Sequence, residues 1–390
     1  RYNNNIKMKK IIKIILLLTL TFSIFLGEVF AEEKIKIGLL VPLTGKNSEI
    51  GQSIIKSTRL AINQIDNLSI EIIPKDTASS PEVTLKSAKE LEKLGIRIVI
   101  GPVFNENLIY LNELSNLTFL SLTNKNDNRS SNIINAGINA TSQLNAIKKF
   151  IELNEIKKTI FLTSDSNYKN EIIQAISNSR IKIIENYIYD TDPTKLTKQI
   201  EKITNYERRK QNLEDEIKRL EESDENNIEK LIERLKKKDT LGNVNFDSLI
   251  IADFDESLKS VTTSLLYTDI LPKEKYFITL NQWFDESLLK ETNLQPIYFP
   301  SINKENYEDF SLEYFNKYNQ YPNQLSFLSY DLIGLIYFLI LQNESIINEK
   351  IFEKKVLFKG KVGIFEIKKN KINHILNFYK VENKKFKKIF

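Results

Sequence analysis

From residue 35 onward the sequence alternates short β-branched runs with amphipathic stretches of 12–16 residues, and this alternation restricts the fold more than any single motif. A strand followed by a helix of that length returns to lie parallel to its predecessor, so the pattern specifies βα units on a parallel sheet. The run Ile35-Lys36-Ile37-Gly38-Leu39-Leu40-Val41 reads as a strand closed by Pro42, and residues 51–65 put positions 54, 55, 58, 61, 62 and 65 on one helix face. A strand at 69–74 follows. The next helix, 81–94, has Pro81 in its first turn and Gly95 just past its last, the expected start and stop chemistry. Strands at 96–100 and 118–122 and a helix at 141–153 complete one series. A second series runs through a strand at 159–163, a helix at 167–177, a strand at 181–189, a long helix, a strand at 246–252, a helix at 256–266 and a strand at 276–280. Two series in one chain predict two Rossmann-like α/β lobes. Residues 357–360, 363–367 and 375–381 alternate in the manner of a small antiparallel meander, with His374 at the start of its last strand.

Composition removes whole classes of chemistry. The 390 residues include no Cys and a single His, His374, which excludes a thiol nucleophile, a disulfide framework and a zinc site of the usual Cys or multi-His kind. No cofactor, metal site or nucleic-acid partner is expected. Only nine of the 56 basic residues are Arg, a bias that reads first as the mark of an AT-rich genome.

Met8-Lys9-Lys10, an apolar run over residues 14–26 and Ala31 have the form of a secretory signal peptide spanning residues 1–31, which predicts export to the periplasm. Thirteen apolar residues are too few to cross a bilayer, and no later segment is long and apolar enough to span. With no Cys after the cleavage point, a lipoprotein anchor is not expected. Cleavage would leave 51 basic against 50 acidic residues, a near-neutral chain whose last 42 residues carry 13 Lys and four Glu.

Residues 206–238 stand apart, with ten basic and ten acidic residues and no Gly or Pro. Leu213, Ile217 and Leu220 make one apolar stripe and Ile228, Leu231 and Leu235 another, with the register broken at residues 223–227. A helical hairpin projecting from the second lobe is predicted, either a solvated extension or a docking arm.

In doubly wound sheets a ligand sits beyond the carboxyl ends of the strands. The candidates are therefore Ser48 after the first strand, Phe104 and Asn105 after the third, Ser121, Thr123 and Asn124 after the fourth, Tyr168 and Asp253 in the second lobe, and Trp283, the only Trp. Asp253 and Asp255 lie on one short loop, a spacing that suggests no acid and base pair. The GxxxxGK[ST] phosphate-loop spacing is absent, and no nucleophile elbow or metal-ligand cluster emerges.

The run Ile37-Gly38-Leu39-Leu40-Val41-Pro42-Leu43-Thr44-Gly45, with Gly51-Gln52, Leu60-Ala61-Ile62-Asn63, Asp76-Thr77, Val99-Ile100-Gly101-Pro102 and Tyr330-Asp331, resembles the type I periplasmic binding proteins of the leucine-binding family. Asp239-Thr240-Leu241-Gly242 after the charged insert, and Phe358-x-Gly360-x-x-Gly363-x-Phe365, are similar to the branch called penicillin-binding-protein activators. The resemblance implies a first lobe at 33–141 plus 284–345, a second at 142–283 plus 346–390, and a three-crossing hinge. It implies a non-enzymatic protein. Where amino-acid receptors hold a ligand carboxylate with a Ser and an Ala-Thr pair, this chain has Asn105 and Thr123-Asn124-Lys125, and Ser57 replaces a Gly of the first helix. Two readings follow: a regulator of peptidoglycan synthesis that contacts a penicillin-binding protein or other envelope protein, and an ABC-importer receptor that closes on an amino acid or small peptide and then meets a permease. An exported α/β enzyme is the third.

Overall fold

A computed structural model describes residues 34–65, 70–125, 130–223, 228–280, 283–343 and 349–390. The signal peptide expected at residues 1–31 lies outside the described residues, as do residues 224–227 of the break in the insert. The first series folds as β1 (Ile35–Val41), α1 (Ser48–Ile62), β2 (Ile70–Asp76), α2 (Pro81–Lys93), β3 (Ile98–Ile100), β4 (Thr118–Ser121) and β5 (Ile133–Asn135). Its parallel sheet has the order β2-β1-β3-β4-β5, with Ile35 opposite Ile70 and Ile37 opposite Ile98. Every residue of β3 and β4 is buried, so these strands show no alternation of apolar and polar residues. The end of β1 and the first turn of α1 approach so closely that a Cβ on Gly51 would stand 1.8 Å from the Pro42 carbonyl oxygen. That contact admits only glycine.

The second series gives α3 (Ala140–Leu153), β6 (Thr159–Ser164), α4 (Lys169–Ser179), β7 (Glu185–Tyr189), α5 (Pro193–Ile203), α6 (Tyr206–Glu221), α7 (Ile228–Leu235), β8 (Ser248–Ala252), α8 (Asp255–Tyr267), β9 (Tyr276–Thr279), α9 (Ser287–Lys290) and β10 (Ile297–Ser301). Then come α10 (Lys304–Tyr318), α11 (Ser326–Gln342), β11 (Val356–Lys359), β12 (Ile364–Lys368), β13 (Lys371–His374), β14 (Asn377–Glu382) and β15 (Lys385–Lys388). The second sheet has the order β15-β14-β10-β9-β8-β6-β7, parallel from β10 to β7 and antiparallel at β14 and β15.

Three expectations need correction. Residues 297–301 form a strand of the second sheet, so the chain returns to the first lobe after Ser301 and not at residue 284. The C-terminal meander is split: β11, β12 and β13 make a sheet of their own, while β14 and β15 extend the second lobe. His374 ends β13 and does not begin the following strand.

α11 is apolar nearly all round and correspondingly buried, with Phe327, Leu332, Ile333, Leu335, Ile336 and Ile340 inaccessible. It packs on α1 through hydroxyls. Ser57 Oγ donates to the Ser326 carbonyl at 2.6 Å, Ser53 and Ser326 share a bond of 2.7 Å, and Ser329 donates to the Ile54 carbonyl at 3.3 Å. Ser57 thus uses the space between the helices for a bond that glycine could not make. No helix among the described residues is long and apolar enough to cross a membrane.

The insert is a helical hairpin. Leu213 and Leu220 of α6 are buried, whereas α7 buries no residue fully and Leu231 is exposed. Its base is fixed by Arg209, which is 5% exposed: Nε donates to the Thr204 carbonyl at 3.0 Å, Nη1 to Thr240 Oγ1 at 2.9 Å and Nη2 to the Thr268 carbonyl. Thr204 and Thr268 are the C-caps of α5 and α8, so the guanidinium meets the negative ends of two helix dipoles. Thr240 Oγ1 in turn donates to the Asp269 carboxylate at 2.6 Å.

Candidate functional site

A cavity of about 700 Å³ lies between the carboxyl ends of the two parallel sheets. The first lobe contributes Asn124 and Lys125 from beyond β4. The second contributes Gln143 at the start of α3, Tyr168 and Glu171 at the start of α4, and Phe254 and Asp255 at the start of α8. Trp283, Phe284, Asp285 and Glu286 follow β9 on the same rim. A second cavity of about 450 Å³ adjoins it on the first-lobe side, lined by Phe104, Asn105, Thr123 and Leu325, and Asn124, Lys125, Trp283 and Gln324 face both. This is the crevice beyond the strand ends in which α/β proteins hold ligands.

Six of the sequence candidates, Phe104, Asn105, Thr123, Asn124, Tyr168 and Trp283, line these cavities. Three do not. Ser121 is wholly buried, donates to the Pro102 carbonyl at 3.2 Å and accepts the Thr123 N–H at 3.3 Å, which shapes the loop after β4. Ser48 stands at the first turn of α1, where its N–H donates to the Gly45 carbonyl at 3.2 Å. Asp253 is 3% exposed and lies behind the surface. Its carboxylate accepts from Tyr168 Oη at 3.2 Å, from Tyr189 Oη and from the Phe254 N–H at 3.1 Å.

The Asp253 cluster therefore positions a tyrosine. Burial, with the neighbouring Asp253 charge, pushes the Tyr189 phenol far above its ordinary range, and burial pushes Tyr168 up as well. Both phenols stay protonated and donate. Tyr168 Oη also meets Ser164 Oγ at 3.3 Å, so the ring edge is fixed from two sides while its face turns to Phe254 at 5.9 Å between ring centres. Trp283 is half-buried, edge-on to Phe327 at 6.3 Å. Asp285, two residues before α9 begins, accepts the Ser287 N–H and Oγ–H, both at 2.8 Å.

Gln143, Glu171 and Gln324 escaped the sequence reading. Gln143 occupies the first turn of α3 just beyond a chain crossing and Glu171 the first turn of α4 after β6, and periodicity identifies a helix without saying which turn faces a cleft. His374, the only His, is 3% exposed in the hinge: Nε2 donates to the Ala136 carbonyl at 2.8 Å and the backbone N–H donates to Ser142 Oγ at 2.9 Å. Burial drives its pKa down to about 4. Among the described residues no group of three His, Asp or Glu side chains could hold a metal ion.

Residues 34–205 match a family model described as periplasmic binding protein. No curated protein sequence matches the chain. Among solved structures it is similar to a putative branched-chain amino acid ABC transporter from Rhodospirillum rubrum, with TM-score 0.65 and 11% identity over 91% of this chain and 100% of that one. The C-domain of LpoA from Haemophilus influenzae, a regulator of PBP1A, gives 0.60 and 14% over 91% and 100%. The leucine binding protein LivK from Thermotoga maritima gives 0.54 and 15% over 91% and 98%. The chain thus has the two-lobed α/β fold of the periplasmic binding proteins, and residues 34–205 match that family's model.

Proposed function

We propose that the chain is an exported, non-enzymatic binding protein that holds a small ligand between its lobes and signals occupancy to an envelope partner by closing about its hinge. One observation carries the reading: the cavity of about 700 Å³ is walled by strand-end loops of both sheets, so a ligand touching both walls would favour the closed form. The chain crosses between lobes near residues 136–139, 302–303 and 375–376, three short segments that can absorb a rotation. Calorimetry of the purified full chain against amino acids, short peptides, amines and aromatic acids, with small-angle scattering of any liganded form, tests it. Heat accompanied by a smaller radius of gyration is expected. Heat with none of the four classes would sink the receptor reading.

The second reading, a regulator acting by protein contact, draws support from the rigid seat of the α6–α7 hairpin on buried Arg209. Asn212 Nδ2 lies 3.4 Å from the Leu241 carbonyl oxygen, so a short Gly/Ser turn can replace residues 212–238 and spare Arg209. Loss of envelope partners on pull-down is expected under this reading, and an unchanged set of partners would end it.

A further inference from the structure

The described lining of the larger cavity carries four carboxylates, Glu171, Asp255, Asp285 and Glu286, against one ammonium, Lys125. Acidic residues alone identify no ligand. A second observation does: Gln143 lines the same cavity, is 6% exposed, and its buried Oε1 has no hydrogen-bond partner. An unsatisfied buried carbonyl carries a penalty that a donor arriving with a ligand removes. Carboxylates and an amide oxygen are acceptors, so the second-lobe wall favours a group that donates. An ammonium or guanidinium does so; a carboxylate or phosphate does not.

The remaining lining describes the rest of the ligand. Ile172, Leu280, Trp283, Phe284 and Phe254 supply apolar and aromatic surface beside the acids, and aromatic faces attract cations at close range. A bare metal ion fits poorly, because the four carboxylates come from three separate segments and no three potential ligands converge among the described residues. We propose that the cleft selects a small organic cation, an amine or guanidinium carried on an apolar or aromatic body. The inference rests on the reading of the cleft as a ligand site and adds its chemical class.

Trp283, the only Trp of the chain, reports on the site directly. Its emission in the full-length protein is followed during titration with 2-phenylethylamine, 2-phenylethanol and phenylacetate, which share a body and differ in charge. The amine should bind at least about tenfold more tightly than the alcohol, with phenylacetate weakest, and its affinity should fall as salt rises from about 50 to about 500 mM. Glu171→Gln with Asp255→Asn should remove most of that preference, and Gln143→Leu should weaken the amine by about fivefold. Unchanged melting temperatures in these variants would separate binding from folding. Equal binding of amine and alcohol, tighter binding of phenylacetate, or an amine preference that survives the double variant would overturn the assignment. Tighter binding of phenylacetate than of the amine, with lobe closure, would sink the cation class and leave the receptor reading intact; no ligand-dependent change in emission or radius would sink both.

Discussion

The carboxylate of Asp331 on α11 accepts the backbone N–H of Gly363 at 2.7 Å, and with it the N–H groups of Lys361 at 2.7 Å and Val362 at 3.2 Å. One buried side chain thereby holds the whole turn between β11 and β12 against the first lobe. Gly360 opens that turn because a Cβ there would lie 2.4 Å from Asp331 Cγ. Gly360→Ala should therefore destabilise the protein by about 2 kcal/mol, read as a lower urea midpoint at unchanged slope.

Asp331 and His374 should tilt stability in opposite directions with pH. Burial pushes the Asp331 carboxyl from 3.8 up to about 7, against the pull of its three N–H donors. The native state then binds the extra proton between about pH 4 and 7, and this contribution to stability is lost as pH rises through that window. Burial lowers His374 from 6.5 to about 4, so its contribution is present above about pH 6.5 and is lost as pH falls towards 4. The slopes cancel in part between pH 4 and 6.5. His374→Gln, which keeps a donor for the Ala136 carbonyl, should leave stability falling with pH, and Asp331→Asn should leave it rising, by at most ~1.4 kcal/mol per pH unit in either case. Urea midpoints from pH 4 to 7.5 measure both; parallel curves for wild type and variants would contradict the assignment.

Asp331 also marks where reading the sequence stops. The Gly360 and Gly363 spacing and the Tyr330-Asp331 pair are both visible in the chain, but 30 residues separate them and nothing local says that they meet. The βα alternation carried both lobes because each unit is a local pattern repeated. β10 broke that pattern: Pro300 lies inside it, and a proline argues against a central strand. The strand tolerates it because pairing with β9 ends at Tyr298, so Pro300 faces only Phe378 of β14. Phe104, Thr123, Tyr168 and Trp283 could be named from their positions after strands, whereas Gln143 needed the second lobe brought against the first.

Arg209 should behave as a structural pin for the insert. Arg209→Met keeps the length of the stem and removes every donor, leaving the Thr204 and Thr268 carbonyls without that partner and Thr240 without its guanidinium. A loss of about 3 kcal/mol is expected. Faster proteolysis within residues 206–238, ahead of global unfolding, would show that the loss begins at the hairpin. A variant as stable and protease-resistant as wild type would mean that the arm is held elsewhere.

The two tyrosines on Asp253 divide support from recognition. Tyr189 is 2% exposed and does not line the cavity, so Tyr189→Phe removes a donor from a buried carboxylate and should cost about 2 kcal/mol of stability. Tyr168 lines the cavity and shares its hydroxyl with Ser164, so Tyr168→Phe should cost less in stability and more in ligand affinity. Thermal melting read beside the Trp283 titration resolves the pair. If Tyr189→Phe were to weaken binding as much as Tyr168→Phe at equal stability, the Asp253 carboxylate would be acting on the ligand itself and not through the tyrosine that it orients.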